Sequence, residues 1–163
     1  MKFISKSVEE TNKLAGEFLN SLTESPMNSL GVPQSEAASA VIVGLFGDLG
    51  SGKTTFTQAL GKYLDVQEVM TSPTFVIMKR YGINQGPAFG SPKAWPWLNL
   101  IHIDAYRLDS GKELQSLNFK EISEDSNNLI LIEWPERVAD ILPDDLIKIN
   151  FKFISEFERE IDF

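Results

Sequence analysis

The spacing of apolar residues changes along the chain. Leu14, Ala15, Phe18, Leu19 and Leu22 recur at helical intervals, so residues 8–22 predict an amphipathic helix. Ser7 with Glu10 three residues later is a capping box, in which two side chains satisfy free amides of the first turn. A short strand is predicted before it, at 2–5. Residues 24–39 have no period and many turn formers, and read as a loop. AVIVGLF (40–46) and NLILIEW (128–134) are continuous apolar runs. Such runs suit strands buried on both faces, as in a parallel sheet.

Residues 53–63 predict a helix with Phe56, Leu60 and Tyr63 inward. TSPTFVIMKRY (71–81) begins as a loop marked by Pro73 and becomes a strand at 75–81, on which WLNLIHID (97–104) pairs back. Between them, residues 82–96 hold three Gly and three Pro and read as a loop insert. A helix at 111–118 has few apolar residues, and a short helix follows Pro135. The tail alternates. Ile149, Phe151 and Phe153 oppose Lys148, Asn150 and Lys152; Phe157, Ile161 and Phe163 then oppose Glu156, Glu158, Glu160 and Asp162. The expected fold is a single α/β domain over 1–163. Its central, largely parallel sheet is flanked by helices and ends in an antiparallel C-terminal strand pair.

GDLGSGKT (47–54) joins the first apolar run to the helix at 53–63 and fits G-x-x-x-x-G-K-[ST] in full. Glycines let the backbone curl until successive N–H groups point inward at phosphate oxygens. The helix adds the positive end of its dipole. Lys53 reaches the β- and γ-phosphates, and the Thr54 hydroxyl can ligate Mg²⁺. Such a loop needs a carboxylate for Mg²⁺ or its waters. Asp104 and Glu133 each end an apolar strand, and either fits. His102 shares a strand face with Asp104, and a lone histidine is more often a structural hydrogen-bonder. TSPTF (71–75) is either a plain turn or a switch segment with hydroxyls near a γ-phosphate. Arg159 falls among the apolar positions of the tail. A guanidinium there needs a partner, either a salt bridge at a sheet edge or the nucleotide.

The composition narrows the choice. The net charge is −8 with no Lys/Arg run, which argues against direct grip of nucleic acid. There is no cysteine and one histidine, which excludes disulfides, thiolate sites and multi-His metal centres. The N-terminus turns charged too soon for a signal peptide, and no apolar run approaches a membrane span; a cytoplasmic protein is expected. The only Asn-Lys lies in the first helix without the Asp of a guanine motif, which disfavours a GTPase. Only four arginines are present, few for clamping two phosphorylated substrates. A kinase with a non-phosphorylated acceptor, an ATP-driven switch and a nucleotide-gated binding module all stay open.

GDLGSGKTTF, TSPTF, HIDAYRL and LIEWPER occur in this order. Together they resemble the TsaE (YjeE) family, the ATPase component of bacterial tRNA threonylcarbamoyladenosine biosynthesis. The resemblance runs over essentially the whole chain. It implies a P-loop NTPase fold and ATP with Mg²⁺ as cofactors. It implies action on the TsaB–TsaD complex, which modifies adenosine 37 of tRNA, with tRNA met only through that complex. By position, Asp48, Leu49, Gly50, Ser51, Gly52, Lys53, Thr54 and Thr55 would bind nucleotide. Thr54 and Glu133 would ligate Mg²⁺. Asp104 would stand near the γ-phosphate, where it can position water. Thr74 matches the switch-like segment, Trp134 a tryptophan near the nucleotide or partner surface, and Tyr106 and Arg107 positions near the interface. Arg159 matches a C-terminal arginine near the nucleotide, and Thr11 a threonine near the adenine. The 24–39 and 82–96 loops exceed what the family leads one to expect. Phe89, Trp95 and Trp97 mark the second as either a partner contact or a hairpin tip.

Overall fold

The two continuous apolar runs lie side by side at the centre of one sheet. The computed structural model describes residues 1–24, 39–85, 95–144 and 146–163. Its elements in chain order begin with β1 (Lys2–Ser5), α1 (Val8–Glu24), β2 (Val41–Phe46) and α2 (Lys53–Tyr63). Then come β3 (Met78–Gly82), β4 (Asn99–Asp104), α3 (Gly111–Gln115), α4 (Phe119–Glu124) and β5 (Asn128–Glu133). A 3-10 helix (Pro135–Ile141), β6 (Ile147–Phe153) and β7 (Arg159–Asp162) complete it. The sheet order is β1-β7-β6-β2-β5-β4-β3. The strands β6, β2, β5 and β4 run parallel; β3 pairs antiparallel at one edge, and β7 and β1 at the other.

The apolar runs are continuous because both faces of these strands are covered. Val43, Leu45, Leu129 and Leu131 pack with Leu14, Phe18, Phe56 and Leu60 of α1 and α2. Ile42, Ile101, Ile130 and Ile132 pack on the other side with Leu114, Phe119 and Val138. Each such side chain contributes about 1.5–3 kcal/mol on full burial. The register sets β4 and β5 level, with Asp104 opposite Glu133. Side chains alternate along a strand, so His102, Asp104, Leu131 and Glu133 belong to the face covered by α1 and α2. At the start of α1, the Glu10 amide donates to Ser7 Oγ. Glu10 Oε2 takes the Lys6 amide rather than that of Ser7, so the capping box closes one residue early.

Five expectations need correction. The strand predicted at 75–81 begins only at Met78. The amides of Val76 and Ile77 both donate to the Pro73 carbonyl, and Ile77 sits at φ 65°, so Phe75 and Val76 turn out to solvent. The helix predicted at 111–118 ends at Gln115, and a second one follows Asn118, which adopts φ 61°; asparagine tolerates that left-handed conformation. Phe157 is 73% exposed instead of sharing the inward face of Ile161, because residues 155–158 form the turn before β7. Phe153 is likewise half exposed, at the end of β6. Trp95 and Trp97 are buried in the core under α1 and α2, so neither is available as a partner contact. Phe89, with most of the 82–96 insert, and nearly all of the 24–39 loop lie outside the described residues.

Candidate functional site

The carboxyl ends of β2, β4 and β5 open on a cavity of about 470 Å³, the usual position for ligands in open parallel sheets. The loop after β2 forms its floor. Gly47, Gly50 and Gly52 have φ of 138°, 76° and 104°, a region L side chains avoid. At Gly47 there is no room either: a Cβ would stand 2.3 Å from the Phe151 carbonyl oxygen. The loop runs straight into α2, whose first residues, Lys53 to Thr55, line the cavity. Ser51 is fully buried there, and its Oγ has no hydrogen-bond partner among the described residues.

Lys53 is buried at the head of α2. Its Nζ donates to the carbonyls of Gly47 and Asp48, at 2.5 and 2.9 Å. It also stands 4.3 Å from the centre of the Trp134 ring, a cation–π distance. Trp134 reaches that position from a left-handed backbone, φ 59°, between β5 and the 3-10 helix. Burial pushes the Lys53 ammonium below the ordinary lysine range, opposed by the charges of Glu133, Glu136, Asp104 and Asp48.

The two carboxylates are buried and differently held. Both oxygens of Glu133 lie on the Thr54 hydroxyl, at 2.9 and 3.0 Å. Oε1 also meets His102 Nε2 at 2.9 Å. Asp104 Oδ1 accepts the Tyr106 amide at 3.0 Å. Its Oδ2 accepts from Thr74 Oγ1 at 2.5 Å and Ser72 Oγ at 3.3 Å. The segment 71–75 is therefore more than a spacer turn, because it brings two hydroxyls to a strand-end carboxylate. Beyond it, Arg107 stands over the exposed Phe75 ring at 4.6 Å, and the Tyr106 and Trp134 rings are 5.1 Å apart.

The far wall comes from the sheet edge. Thr11 Oγ1 is 2.7 Å from Ser5 Oγ, and both are buried. Arg159 donates through Nη1 to the carbonyls of Ser155 and Glu158, and its guanidinium covers the Phe153 ring at 4.6 Å. It also borders the cavity, close to Gly52. Its place among apolar positions thus has a local cause, the cap on the β6–β7 turn, and still leaves it beside the glycine loop.

The structure brings the predicted residues together. Leu49, Gly50, Ser51, Gly52, Lys53, Thr54, Thr55, Thr11, Thr74, Asp104, Glu133, Trp134 and Arg159 all line one cavity. Asp48 does not line it and contributes its carbonyl to Lys53 instead. Ser5 and Ser72 line it too, and the sequence pattern alone does not single them out. Ser72 sits within the TSPTF segment, whereas nothing local to Ser5 points to the site; β1 pairing with β7 carries it there.

A family model described as "Threonylcarbamoyl adenosine biosynthesis protein TsaE" matches residues 5–161. The chain belongs to the TsaE family. The Bacillus subtilis (strain 168) "tRNA threonylcarbamoyladenosine biosynthesis protein TsaE" is 34% identical over 122 residues, 75% of this chain and 68% of that protein. The protein of the same description from Rickettsia conorii is 32% identical over 154 residues, 94% of this chain and 71% of the other. The crystal structure of Bacillus subtilis YdiB superposes with a TM-score of 0.64 at 27% identity, covering 99% of this chain and 82% of that one. Among the described residues, no helix is long and apolar enough to cross a membrane.

The donor set of this TsaE-family chain suits magnesium. Mg²⁺ takes hard oxygens and is commonly held by one or two carboxylates together with substrate phosphates. Thr54 and Glu133 offer a hydroxyl and a carboxylate in mutual contact. No cluster of three or more His, Asp or Glu side chains among the described residues forms a cage of its own. A magnesium ion here would complete its shell with waters or with the oxygens of a bound phosphate.

Proposed function

We propose that the chain is a Mg-ATP-hydrolysing ATPase. On this reading it supports formation of threonylcarbamoyladenosine at position 37 of tRNA by acting on the TsaB–TsaD complex. One observation carries it: the Thr54 hydroxyl meets the Glu133 carboxylate at the end of the glycine loop, with Lys53 and Asp104 on the same cavity. Membership of the TsaE family supplies the biological setting.

The loop amides from Leu49 to Thr55 and the start of α2 bind the β- and γ-phosphates. Lys53 exchanges the Gly47 and Asp48 carbonyls for phosphate oxygens, which relieves the cost of its burial. Thr54 and Glu133 would hold Mg²⁺, which when bound supplies positive charge to the phosphate oxygens. Asp104 Oδ2, already an acceptor for Thr74 and Ser72, orients the attacking water by accepting a hydrogen bond from it; the water's proton leaves with the phosphate. Water adds to the γ-phosphorus as the bond to the β-bridging oxygen breaks, leaving ADP and phosphate. Trp134 shields Lys53 from solvent, and Thr11 and Arg159 border the nucleoside end. Thr74 ties the state of the γ-phosphate to the 71–77 loop, whose exposed Phe75 and Val76 would carry that state to the TsaB–TsaD surface.

The test is phosphate release from Mg-ATP by the purified chain, alone and with TsaB and TsaD, with Lys53→Ala as control. Slow release alone, stimulation by the partners and loss of both in the control are expected. Release that depends on an added small acceptor and yields a phosphorylated product would instead make the chain a kinase. Partner binding gated by Mg-ATP without turnover would make it a binding module.

A further inference from the structure

The carboxylate of Glu133 has one partner that the nucleotide chemistry does not explain. His102 and Glu133 are 1% and 3% exposed, and His102 Nε2 lies 2.9 Å from Glu133 Oε1. The contact runs diagonally across neighbouring parallel strands. His102 is level with Leu131, two residues before Glu133, on the face that also carries Asp104. The imidazole therefore sits behind the cavity and outside its lining.

An ionised carboxylate only accepts hydrogen bonds, so a hydrogen bond to ionised Glu133 requires the proton on Nε2. The other nitrogen, Nδ1, is buried with no partner among the described residues. The ring is thus held by one polar contact, and that contact is aimed at Glu133. Thr54 cannot fix the carboxylate by itself. It has one hydroxyl hydrogen and lies nearly equidistant from the two oxygens, at 2.9 and 3.0 Å. It constrains where the group sits and not how it is turned. Tying Oε1 from behind sets that rotation, so that Oε2 stays toward the cavity.

We infer that His102 is a positioning residue: it locks the rotation of the Glu133 carboxylate and thereby pre-orders the magnesium site. This rests on the proposed role of Glu133 as a magnesium ligand. Outer-shell partners of this kind are worth about 10–100-fold in metal affinity.

His102 is the only histidine of the chain, so its imidazole nitrogens can be observed by NMR without assignment. In the wild-type full chain, the proton is expected on Nε2, and the Nε2 resonance is expected to shift when Mg²⁺ is added in the presence of ADP. A ring protonated on Nδ1 alone, or an Nε2 signal indifferent to Mg-ADP, would overturn the proposal. Two variants separate positioning from packing. The amide nitrogen of His102→Gln reaches about as far as imidazole Nε2, whereas that of His102→Asn falls short. His102→Asn is expected to raise the Mg²⁺ concentration for half-maximal nucleotide binding by about tenfold. His102→Gln is expected to return most of that. Equal, wild-type Mg²⁺ requirements in both variants would overturn the inference while Glu133→Ala still raised the requirement. An unchanged requirement in Glu133→Ala would instead remove the magnesium-ligand reading itself. Should either histidine variant fail to fold, the wild-type NMR result decides.

Discussion

Asp104 and Glu133 end neighbouring parallel strands in the same register, and both are buried on one cavity wall. Their surroundings differ. Glu133 is held by Thr54 at the head of α2 and His102 in β4, both within regular elements. Asp104 is held on its cavity side by Thr74 and Ser72, which belong to a loop. That loop turns Phe75 and Val76 to solvent and contains Ile77 at φ 65°. A β-branched residue there is strained, by about 1–3 kcal/mol for such sites. The difference teaches a division of labour. On the proposed reading, Glu133 as a magnesium ligand would gain from supports within regular elements, and Asp104 near the γ-phosphate from a support in a loop.

The largest effect should come where the two halves meet. Lys53 feels both carboxylates, and Lys53→Ala should lower the rate of ATP hydrolysis by about 10²–10³-fold, measured by phosphate release. Next comes the loop-held side. Asp104→Asn keeps the shape and loses the charge, and should lower kcat about a hundredfold while nucleotide affinity stays near wild type; steady-state kinetics with a binding isotherm checks both. Thr74→Ala removes the shorter of the two loop contacts and should lower kcat roughly tenfold, about the worth of one hydrogen bond to a charged group. Ser72→Ala, which loses only the 3.3 Å contact, should cost less. Equal losses from the two would blunt the contrast between a specific tether and a merely polar loop.

The smallest effect concerns stability. Burial lowers the folded-state pKa of Lys53. Between that value and the unfolded one, the unfolded chain binds more protons, so stability rises with pH across that window. Below it the full cost of the charged buried lysine is present. Lys53→Met should flatten this part of the stability profile, read by urea unfolding at a series of alkaline pH values.

Much of this was legible in the sequence, for identifiable reasons. The glycine loop shows because its three left-handed positions suit glycine alone, and Lys53 and Thr54 follow at fixed spacing. The strand-end carboxylates show because a charge closing a buried apolar run is costly unless the site there uses it. What failed was decided by distant or competing interactions. Phe75 and Val76 favour a strand by type, yet the Pro73 carbonyl captures the next amides. Phe157 alternates correctly on paper, yet the β6–β7 turn takes up its position. Trp95 and Trp97 read as loop tryptophans because burial under α1 and α2 leaves no local mark. Ser5 reaches the cavity only because β1 adds to the far edge of the sheet, a pairing across nearly the whole chain.

The division between the two carboxylates is tested most directly by titrating Mg²⁺ against nucleotide binding in wild type, Glu133→Ala and Asp104→Asn side by side. The account predicts that Glu133→Ala raises the half-maximal Mg²⁺ concentration by about a hundredfold or more, beyond the range for losing an outer-shell partner alone. It predicts that Asp104→Asn leaves that concentration unchanged. A higher Mg²⁺ requirement in Asp104→Asn with none in Glu133→Ala would contradict it, and so would equal shifts in both.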